Sequence, residues 1–195
     1  MSVTLTVAVP TLGRSSLART LAPIARAVGP DDAVLVMADG GGDVAAARFI
    51  YREVATRNWR FEVLPSSPWG QAHRNWALQQ AETTHVWSLN DDDTPTSAAV
   101  AAIRAHAHPR RATIFKARFP DGTSFWGQPA EYREPVIWRD PSVRLGNVDA
   151  AMIVAPAGCA SRWGERYEGD FDFAAALVDE FGAPVWRDET VVLKG

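Results

Sequence analysis

The most informative segment of the sequence is Ser88-Leu89-Asn90-Asp91-Asp92-Asp93-Thr94-Pro95. It follows the apolar residues Val86 and Trp87, which favour a buried strand, and it precedes a predicted helix. Three successive carboxylates at the end of a buried strand repel one another and lose hydration, so such a cluster usually persists where a positive group lies on it. A divalent metal that carries phosphate oxygens is the common arrangement. The alternative is a solvated acidic turn, in which Asp and Pro serve the turn geometry.

Strands and helices alternate on both sides of this acidic stretch. The predicted strands cover 4–9, 33–38, 61–64 and 85–89, and the predicted helices cover 17–28, 44–54, 71–81 and 97–106. Candidate N-caps are Ser15 or Ser16 for the first helix, Asp43 for the second and Thr96 for the fourth, whereas Pro23 predicts a kink or a short break in the first helix. The alternation predicts an α/β fold with a mostly parallel sheet and helices on both of its faces.

Polar residues follow several of these strands. In a parallel sheet, ligands collect beyond the carboxyl ends of the strands. This rule places Pro10 with Thr11, Asp39, and Asp91 to Asp93 along one rim of the sheet. The sequence therefore predicts one ligand site that is built from three separate segments.

The second half of the chain has a different pattern. Residues 112–119 alternate as an antiparallel strand does, and Asp121-Gly122 is a hairpin signal before a strand at 123–126. Residues 129–141 are rich in Pro, Arg, Glu and aromatics and predict an irregular excursion. The remaining predictions are strands at 150–155, 185–186 and 191–193, an acidic loop at 165–172 and a helix after that loop. We predict a single domain over residues 1–195, in which 111–195 adds a small antiparallel part to 1–110.

Bulk properties restrict the function classes. The net charge of -3 gives no indication of a general polyanion-binding surface. Cys159 is the single cysteine, which excludes an internal disulfide and a cysteine zinc cluster. The N-terminus lacks the pattern of a signal peptide, and no apolar run approaches the roughly 20 residues that cross a bilayer. We therefore expect a cytoplasmic protein without a transmembrane segment.

Four segments resemble a known family in their order and spacing. They are Val7-Ala8-Val9-Pro10-Thr11, the strand that ends in Asp39-Gly40-Gly41, the helix Gly70-Gln71-Ala72-His73-Arg74-Asn75-Trp76-Ala77-Leu78, and Leu89-Asn90-Asp91-Asp92-Asp93-Thr94-Pro95. Together they resemble the family 2 glycosyltransferases of the GT-A fold, whose DxD motif is the counterpart of the last segment. Beyond residue 110 the resemblance rests mainly on Glu168-Gly169-Asp170, where Gly169 departs from the family's adjacent Glu-Asp pair.

The resemblance implies a nucleotide-sugar site in residues 1–110. Pro10 and Thr11 would lie at the nucleotide pocket, and Asp39 would accept a hydrogen bond from the uracil ring or the ribose. Arg74 and Asn75 would open a helix near the diphosphate, where an arginine and a helix N-terminus both favour phosphate. The other interpretations are a turn Asp at 39, a surface residue at 74 and a brace for the acidic loop at 75.

The resemblance also implies a metal on the acidic stretch. Asp93 is the first choice of ligand together with Asp91, and Asp91 and Asp92 would contact the donor. Because Asn90 stands where many relatives have Asp, the register is open by one residue, and Asp92 is the ligand in the other register. Oxygen ligands suit Mn²⁺ or Mg²⁺, which would neutralise the leaving diphosphate.

A transfer that inverts the anomeric carbon needs a base for the acceptor hydroxyl. Asp170 aligns best with the family's catalytic Asp, Glu168 and Asp172 are alternatives, and a solvated acidic loop is the other interpretation. We therefore expect a metal-dependent, inverting glycosyltransferase that moves a sugar from a nucleoside-diphosphate sugar, in the first place a UDP-sugar, to an acceptor hydroxyl. The resemblance places the acceptor in residues 111–195, whose aromatic residues can stack on sugars or pack in the core: Trp126, Trp138, Trp163 and Tyr167.

The acceptor stays open: it is a saccharide, a protein, a small molecule or, more remotely, a modified nucleic-acid base. Two other functions also stay open. A nucleotidyltransferase of similar fold usually carries a glycine-rich loop with a following Arg and Lys after its first strand. Here Thr11-Leu12-Gly13-Arg14 contains one glycine. A non-catalytic sugar- or nucleotide-binding module is compatible with the departure at Gly169.

Overall fold

The computed structural model describes residues 2–119, 124–125 and 142–195. Its strands, numbered β1 to β9 in chain order, are Leu5–Thr11, Ala33–Asp39, Trp59–Leu64, His85–Ser88, Thr94–Pro95, Thr113–Arg118, Ser124–Phe125, Ile153–Pro156 and Val185–Leu193. They form one hydrogen-bonded sheet in the order β3-β2-β1-β4-β8-β6-β9-β5, and β7 pairs with β6. Strands from both halves of the sequence therefore share one sheet, while the division of the chain into domains stays a prediction.

The first half of the sheet is parallel, as predicted. Strand β1 pairs in parallel with β2 and β4, and β2 pairs in parallel with β3. All seven residues of β1 are buried, which is typical of a parallel strand covered on both faces. The fold class predicted from the sequence is confirmed.

Five helices of the described chain connect or flank these strands: α1 Leu17–Ala27, α2 Val44–Val54, α3 Gln71–Gln80, α4 Ala99–His106 and α5 Gly169–Phe181. Asp43 caps α2 as predicted, since its Oδ1 accepts from the Ala46 N–H at 2.9 Å. Ser16 makes no such side-chain bond at α1. The predicted break at Pro23 is wrong, because α1 runs through it with a buried stripe that packs on the core.

Thr96 is not the cap of α4. That helix begins at Ala99, and the Thr96 hydroxyl instead donates to the Thr190 carbonyl at 3.0 Å. This bond continues the antiparallel pairing of the short strand β5 with β9, in which Thr94 faces Leu193. The residues after the acidic stretch are therefore held by the last strand of the sheet.

The second half differs from its prediction in four places. The strand predicted at 150–155 begins only at Ile153, because residues 150–152 form a short 3₁₀ helix. Strand β6 is antiparallel to β7 and β8 but parallel to β9. The two short strands predicted near the end are one strand, β9, whose polar middle crosses register shifts against β6. Helix α5 already begins at Gly169, which puts Asp170 and Asp172 in its first turn rather than in a loop.

Several predictions fall outside the described residues: the Asp121-Gly122 hairpin, the excursion at 129–141, and the stacking roles of Trp126 and Trp138. Within the part of the chain that the structure describes, none of the helices has the length and the apolar character needed to cross a membrane.

Candidate functional site

The three predicted segments of the site lie at one edge of the sheet. Thr11 ends β1, Asp39 ends β2 and Ser88 ends β4, directly before the acidic stretch. Because β1 is parallel to both neighbours, these carboxyl ends point the same way. We call this edge the strand-end rim.

Asp91 holds the turn that follows β1. Its Oδ2 accepts from the Thr11 hydroxyl at 2.8 Å and from the Leu12 N–H at 3.1 Å. The Arg14 guanidinium lies 3.4 Å from Asp91 Oδ1 and 3.2 Å from Asp92 Oδ2. The Asp92 side chain is 44% exposed, whereas Asp91 is buried. Asp91 therefore shapes the rim through bonds within the chain.

Asp39 is a buried carboxylate that ties two loops together. Its Oδ1 accepts from the Gly41 N–H at 2.8 Å, and its Oδ2 accepts from the Ser67 N–H at 2.9 Å. Burial alone would raise the pKa of this carboxyl, but the hydrogen bonds from Ser67, Gly41 and the Ser66 side chain outweigh it and lower the pKa below 3.8. Asp39 is therefore an ionised hydrogen-bond acceptor at the end of β2.

Arg74 is buried rather than on the surface. Its Nε donates to Ser88 Oγ at 3.1 Å, and its two terminal nitrogens donate to the Trp69 carbonyl and to Asn90 Oδ1, each at 2.5 Å. The guanidinium also lies over the ring of Trp163, 5.3 Å from its centroid. Burial lowers the pKa of Arg74 below the usual value of an arginine, although four neighbouring carboxylates favour the charged form. This side chain is a fixed cation under the acidic stretch.

Asn75 braces the loop before α5. Its Nδ2 donates to the Trp163 carbonyl at 3.0 Å, and its Oδ1 accepts from the Trp163 N–H at 2.8 Å. The Trp163 ring is buried and stacks on Phe173 with 4.1 Å between the centroids, so it packs in the core. Tyr167 is exposed instead, edge-on to Trp69 at 4.9 Å, and both rings are accessible to a ligand.

Asp170 is the one member of the predicted acidic trio that faces other buried charges. Its Oδ2 accepts from the Ala150 N–H at 3.0 Å. Burial, followed by the neighbouring charge of Asp149, raises the pKa of Asp170 to about 6, against the opposing effect of Arg74. Asp172 is paired with Arg166 through two bonds of 2.7 and 2.6 Å. Glu168 occupies the N-cap position of α5 without a capping bond.

Lys194 and Asp149 belong to the same group of charges, and the sequence patterns pointed to neither. The Lys194 ammonium lies 2.8 Å from Asp93 Oδ2 and 3.0 Å from Asp149 Oδ2. Burial alone would lower the pKa of this lysine, but Asp149 and Asp93 outweigh it and raise the pKa above 10.5. We name Asp93, Asp149, Asp170, Arg74 and Lys194 the rim charge cluster.

The fold has relatives among solved structures, although no family model and no curated protein sequence matches the chain. TarS 1-349 from S. aureus matches with a TM-score of 0.71 and 19% identity, over 98% of this chain and 60% of that one. Its complex with UDP-GlcNAc matches with a TM-score of 0.72 and 18% identity, over 97% and 58%. Its complex with UDP matches with a TM-score of 0.69 and 18% identity, over 97% and 60%.

TarS is a family 2 glycosyltransferase with a GT-A fold. The fold of this chain is the GT-A fold. The family resemblance stated from the sequence is therefore confirmed at the level of the fold. The chain spans 58 to 60% of the length of the TarS 1-349 chains that it matches.

GT-A glycosyltransferases often use a divalent metal, which raises the question of whether these residues fit one. Within the described ranges, no group of three or more His, Cys, Asp and Glu side chains is arranged to hold a metal ion. Asp91 and Asp93, the first choice of ligands, point to different groups: Asp91 bonds to the turn after β1, and Asp93 bonds to Lys194. Asp93 Oδ2 also accepts from Asn90 Nδ2 at 3.0 Å. The side chains as arranged fit an ammonium group and not a divalent ion.

Asp93 nevertheless keeps an unusual environment. Its Oδ1 is buried and has no hydrogen-bond partner among the residues that the structure describes. Burial raises the pKa of Asp93 to about 7, although Lys194 opposes the shift. A buried carboxylate with one unpaired oxygen at the strand-end rim is typical of a functional site.

Proposed function

We propose that the chain transfers a sugar from a UDP-sugar to an acceptor hydroxyl, with inversion at the anomeric carbon. The observation that carries this proposal is the position of Asp170. It joins Arg74 and Asp149 in the rim charge cluster, which reaches the acidic stretch through Lys194 and Asp93. The GT-A fold supports the same chemistry, since TarS has been solved with UDP and with UDP-GlcNAc.

In this proposal the donor lies along the strand-end rim. The backbone of Pro10 and Thr11 contacts the base, and the Asp39 carboxylate accepts a hydrogen bond from a uracil ring N–H. Both roles suit the positions of these residues at the ends of β1 and β2. Arg74 lies under the diphosphate as a fixed charge, while Asp91 and Asn75 hold the loops on either side. Exposed Asp92 and its partner Arg14 face the donor from the rim.

Asp170 acts as the base in this proposal. A carboxyl with a pKa of about 6 is mostly ionised at neutral pH and still accepts a proton better than an ordinary carboxylate does. It removes the acceptor's hydroxyl proton as the oxygen attacks the anomeric carbon, and UDP leaves from the opposite side. Glu168, two residues earlier and half-buried, is the second candidate.

The leaving diphosphate needs a positive charge. A Mn²⁺ or Mg²⁺ ion on Asp93, as the resemblance implies, would supply Lewis-acid stabilisation of the diphosphate. The residues do not fit that ion while Lys194 holds both Asp93 and Asp149. Charge neutralisation is therefore assigned to the chain's own cations.

The test compares Asp170→Asn with Asp172→Asn. The first replacement keeps an acceptor for the Ala150 N–H but removes the base, and the second changes a carboxylate of the same helix turn that is bound to Arg166. We expect both variants to bind UDP in calorimetry and Asp170→Asn alone to lose release of UDP from UDP-sugars. Binding of UDP without any UDP-sugar turnover by the wild type would favour a binding module. Equal activity of the two variants would reject Asp170 as the base.

A further inference from the structure

The last strand of the sheet places a lysine on the acidic stretch. Thr94 of β5 pairs with Leu193 of β9, and this register brings Lys194 next to Asp93. The Lys194 N–H also donates to the Arg118 carbonyl at 2.9 Å, which continues the pairing of β9 with β6. The backbone bond of Lys194 to β6 and the pairing of its neighbour Leu193 with β5 therefore hold this segment, and the position of Lys194 does not depend on the side-chain ion pairs alone.

The chain stays close to the acidic stretch after Lys194. A Cβ on Gly195 would lie 2.1 Å from the Asp92 carbonyl oxygen, so the backbone at this position is pressed against that loop. The Lys194 side chain is 10% exposed, and those of Asp93 and Asp149 are 1% and 2% exposed. The ammonium thus lies within the rim, between two carboxylates that water barely reaches.

This ammonium has one donor left. A lysine ammonium carries three N–H groups, of which two are directed to Asp93 and Asp149. The described residues provide no acceptor for the third. On the other side of the acidic stretch, Arg14 bonds to Asp91 and Asp92. A phosphate group at the rim would therefore meet two cations, one of them pre-positioned in a buried site.

A divalent ion bound to Asp93 would be repelled by the Lys194 ammonium. An ion bound to Asp93 Oδ2 would lie within a few ångströms of the Lys194 Nζ atom, and two cations at that distance repel strongly where water is excluded. Lysine is a strongly hydrated point charge that binds phosphate without the geometric demands of a metal.

We propose that the Lys194 ammonium takes the place of the divalent cation and binds the diphosphate of the donor, so that donor binding requires no metal. This inference rests on the proposed function, because it assigns the cation for the same nucleotide-sugar site. No bond to Lys194 forms or breaks in the reaction: its charge neutralises the diphosphate as the bond from the anomeric carbon to the phosphate oxygen breaks.

The first experiment measures UDP binding by calorimetry in EDTA and in Mn²⁺, for the wild type, Lys194→Met, Lys194→Arg and Lys116→Met. Lys116 is the only other lysine in the sequence, and it pairs with the exposed Asp188, so it controls for loss of a lysine. We expect the wild type and Lys116→Met to bind UDP equally well in both buffers. Lys194→Met should lose at least about tenfold in affinity in EDTA, and Lys194→Arg should stay independent of metal.

A second readout follows the metal directly. Electron paramagnetic resonance of free Mn²⁺ should show no binding to the wild type and binding to Lys194→Met, in which the Lys194 ammonium no longer lies between Asp93 and Asp149. Mn²⁺ should then restore UDP binding to that variant, a switch that a merely structural lysine would not produce. If Lys194→Met does not fold, Lys194→Met/Asp149→Asn removes one charge of each sign and should show the same loss of UDP affinity in EDTA.

The outcomes separate the two proposals. Wild-type binding of UDP that requires Mn²⁺, or stoichiometric Mn²⁺ binding by the wild type, overturns the role of Lys194 and leaves the proposed function standing. Full UDP affinity of Lys194→Met in EDTA overturns it as well. Failure of the wild type to bind any UDP compound in either buffer contradicts the proposed function itself.

Discussion

The side-chain amide of Asn75 exchanges two hydrogen bonds with the backbone of Trp163, which lies 88 residues later in the sequence. One amide thereby satisfies both the N–H and the C=O of that residue. The pair connects α3, which carries Arg74, to the loop that leads into α5, which carries Asp170. The relative position of the fixed cation and the proposed base thus depends on a polar contact between two distant segments.

We expect Asn75→Ala to lower the free energy of unfolding by about 2 kcal/mol, because two hydrogen bonds are lost and the Trp163 backbone groups lose their partners. Urea unfolding followed by tryptophan fluorescence measures this change. Gln79→Ala is the control, since Gln79 carries the same amide on the exposed face of α3. Equal stability of the two variants would mean that the Asn75 bonds contribute nothing net.

Gly13 gives a second stability prediction. Its φ is +82°, and a Cβ there would lie 2.1 Å from the Asp43 carbonyl oxygen. Gly158 has a similar φ of +78°, but a Cβ added to it would meet no heavy atom within 4 Å. We expect Gly158→Ala to cost about 1 kcal/mol from the left-handed backbone alone. Gly13→Ala should cost at least about 3 kcal/mol, because the turn held by Asp91 has to move.

The matched pair separates backbone strain from steric overlap, since urea unfolding of both variants measures the two costs on one scale. A similar loss at both glycines would show that the turn after β1 adapts without difficulty. In that case the bonds from Asp91 to Thr11 and Leu12 would not be a rigid part of the rim.

The local parts of this structure follow from the sequence, and the long-range parts do not. Apolar runs and the Asp43 cap predict β1, β2 and α2 because each signal lies within a few residues of the element that it specifies. Lys194 reaches Asp93 across 101 residues through the pairing of β5 with β9. A two-residue strand such as β5 is too short to show a hydrophobic periodicity, so the local sequence does not predict this contact.

The start of α5 shows a related limit. The acidic residues at 168–172 resemble a solvated loop, yet Asp170 and Asp172 lie in the first turn of the helix. Negative charge is favourable there because of the helix dipole, so the same residues serve as a helix start. The family resemblance makes Asp170 the expected base among them, which stays a prediction. Its position beside Asp149 depends on the sheet and could not be predicted locally.

The buried Asp93 predicts a pH dependence of stability. Its pKa is raised from 3.8 to about 7, so the folded state binds this proton more tightly than the unfolded state does. The resulting stabilisation is complete below about pH 4 and is lost as the pH rises to about 7. Relative to Asp93→Asn, which cannot titrate, the wild type should therefore become less stable across this window.

Urea unfolding at several pH values between about 4 and 8 measures the difference in unfolding free energy between wild type and Asp93→Asn. Asp188→Asn serves as the control, because Asp188 is an exposed carboxylate on β9. A difference that stays constant with pH would show that Lys194 offsets the burial of Asp93 completely.

The proposed base predicts a pH dependence of activity. Asp170 accepts a proton only when it is ionised, so kcat/KM for sugar transfer or for hydrolysis of a UDP-sugar should rise with pH through an apparent pKa near 6. Asp149, Arg74 and Lys194 face this carboxyl, and their charges contribute to that value. Asp149→Asn removes a negative neighbour and should shift the rising limb to lower pH. If the rising limb of the kcat/KM profile does not move in Asp149→Asn, the titrating group is not Asp170.

Asp39 predicts selectivity for the nucleotide base. Its carboxylate accepts two backbone N–H bonds and remains ionised, so a further donor such as a uracil ring N–H can bind its free lone pairs. We expect Asp39→Asn to weaken UDP binding by about tenfold, since an amide nitrogen would face a donor, and to leave inorganic pyrophosphate binding unchanged. Calorimetry with both ligands makes this comparison.

Ser66→Ala is the control, because it removes a hydrogen-bond partner of Asp39 and keeps the carboxylate. If UDP and pyrophosphate lose affinity equally, Asp39 holds the loops of the rim and does not read the base.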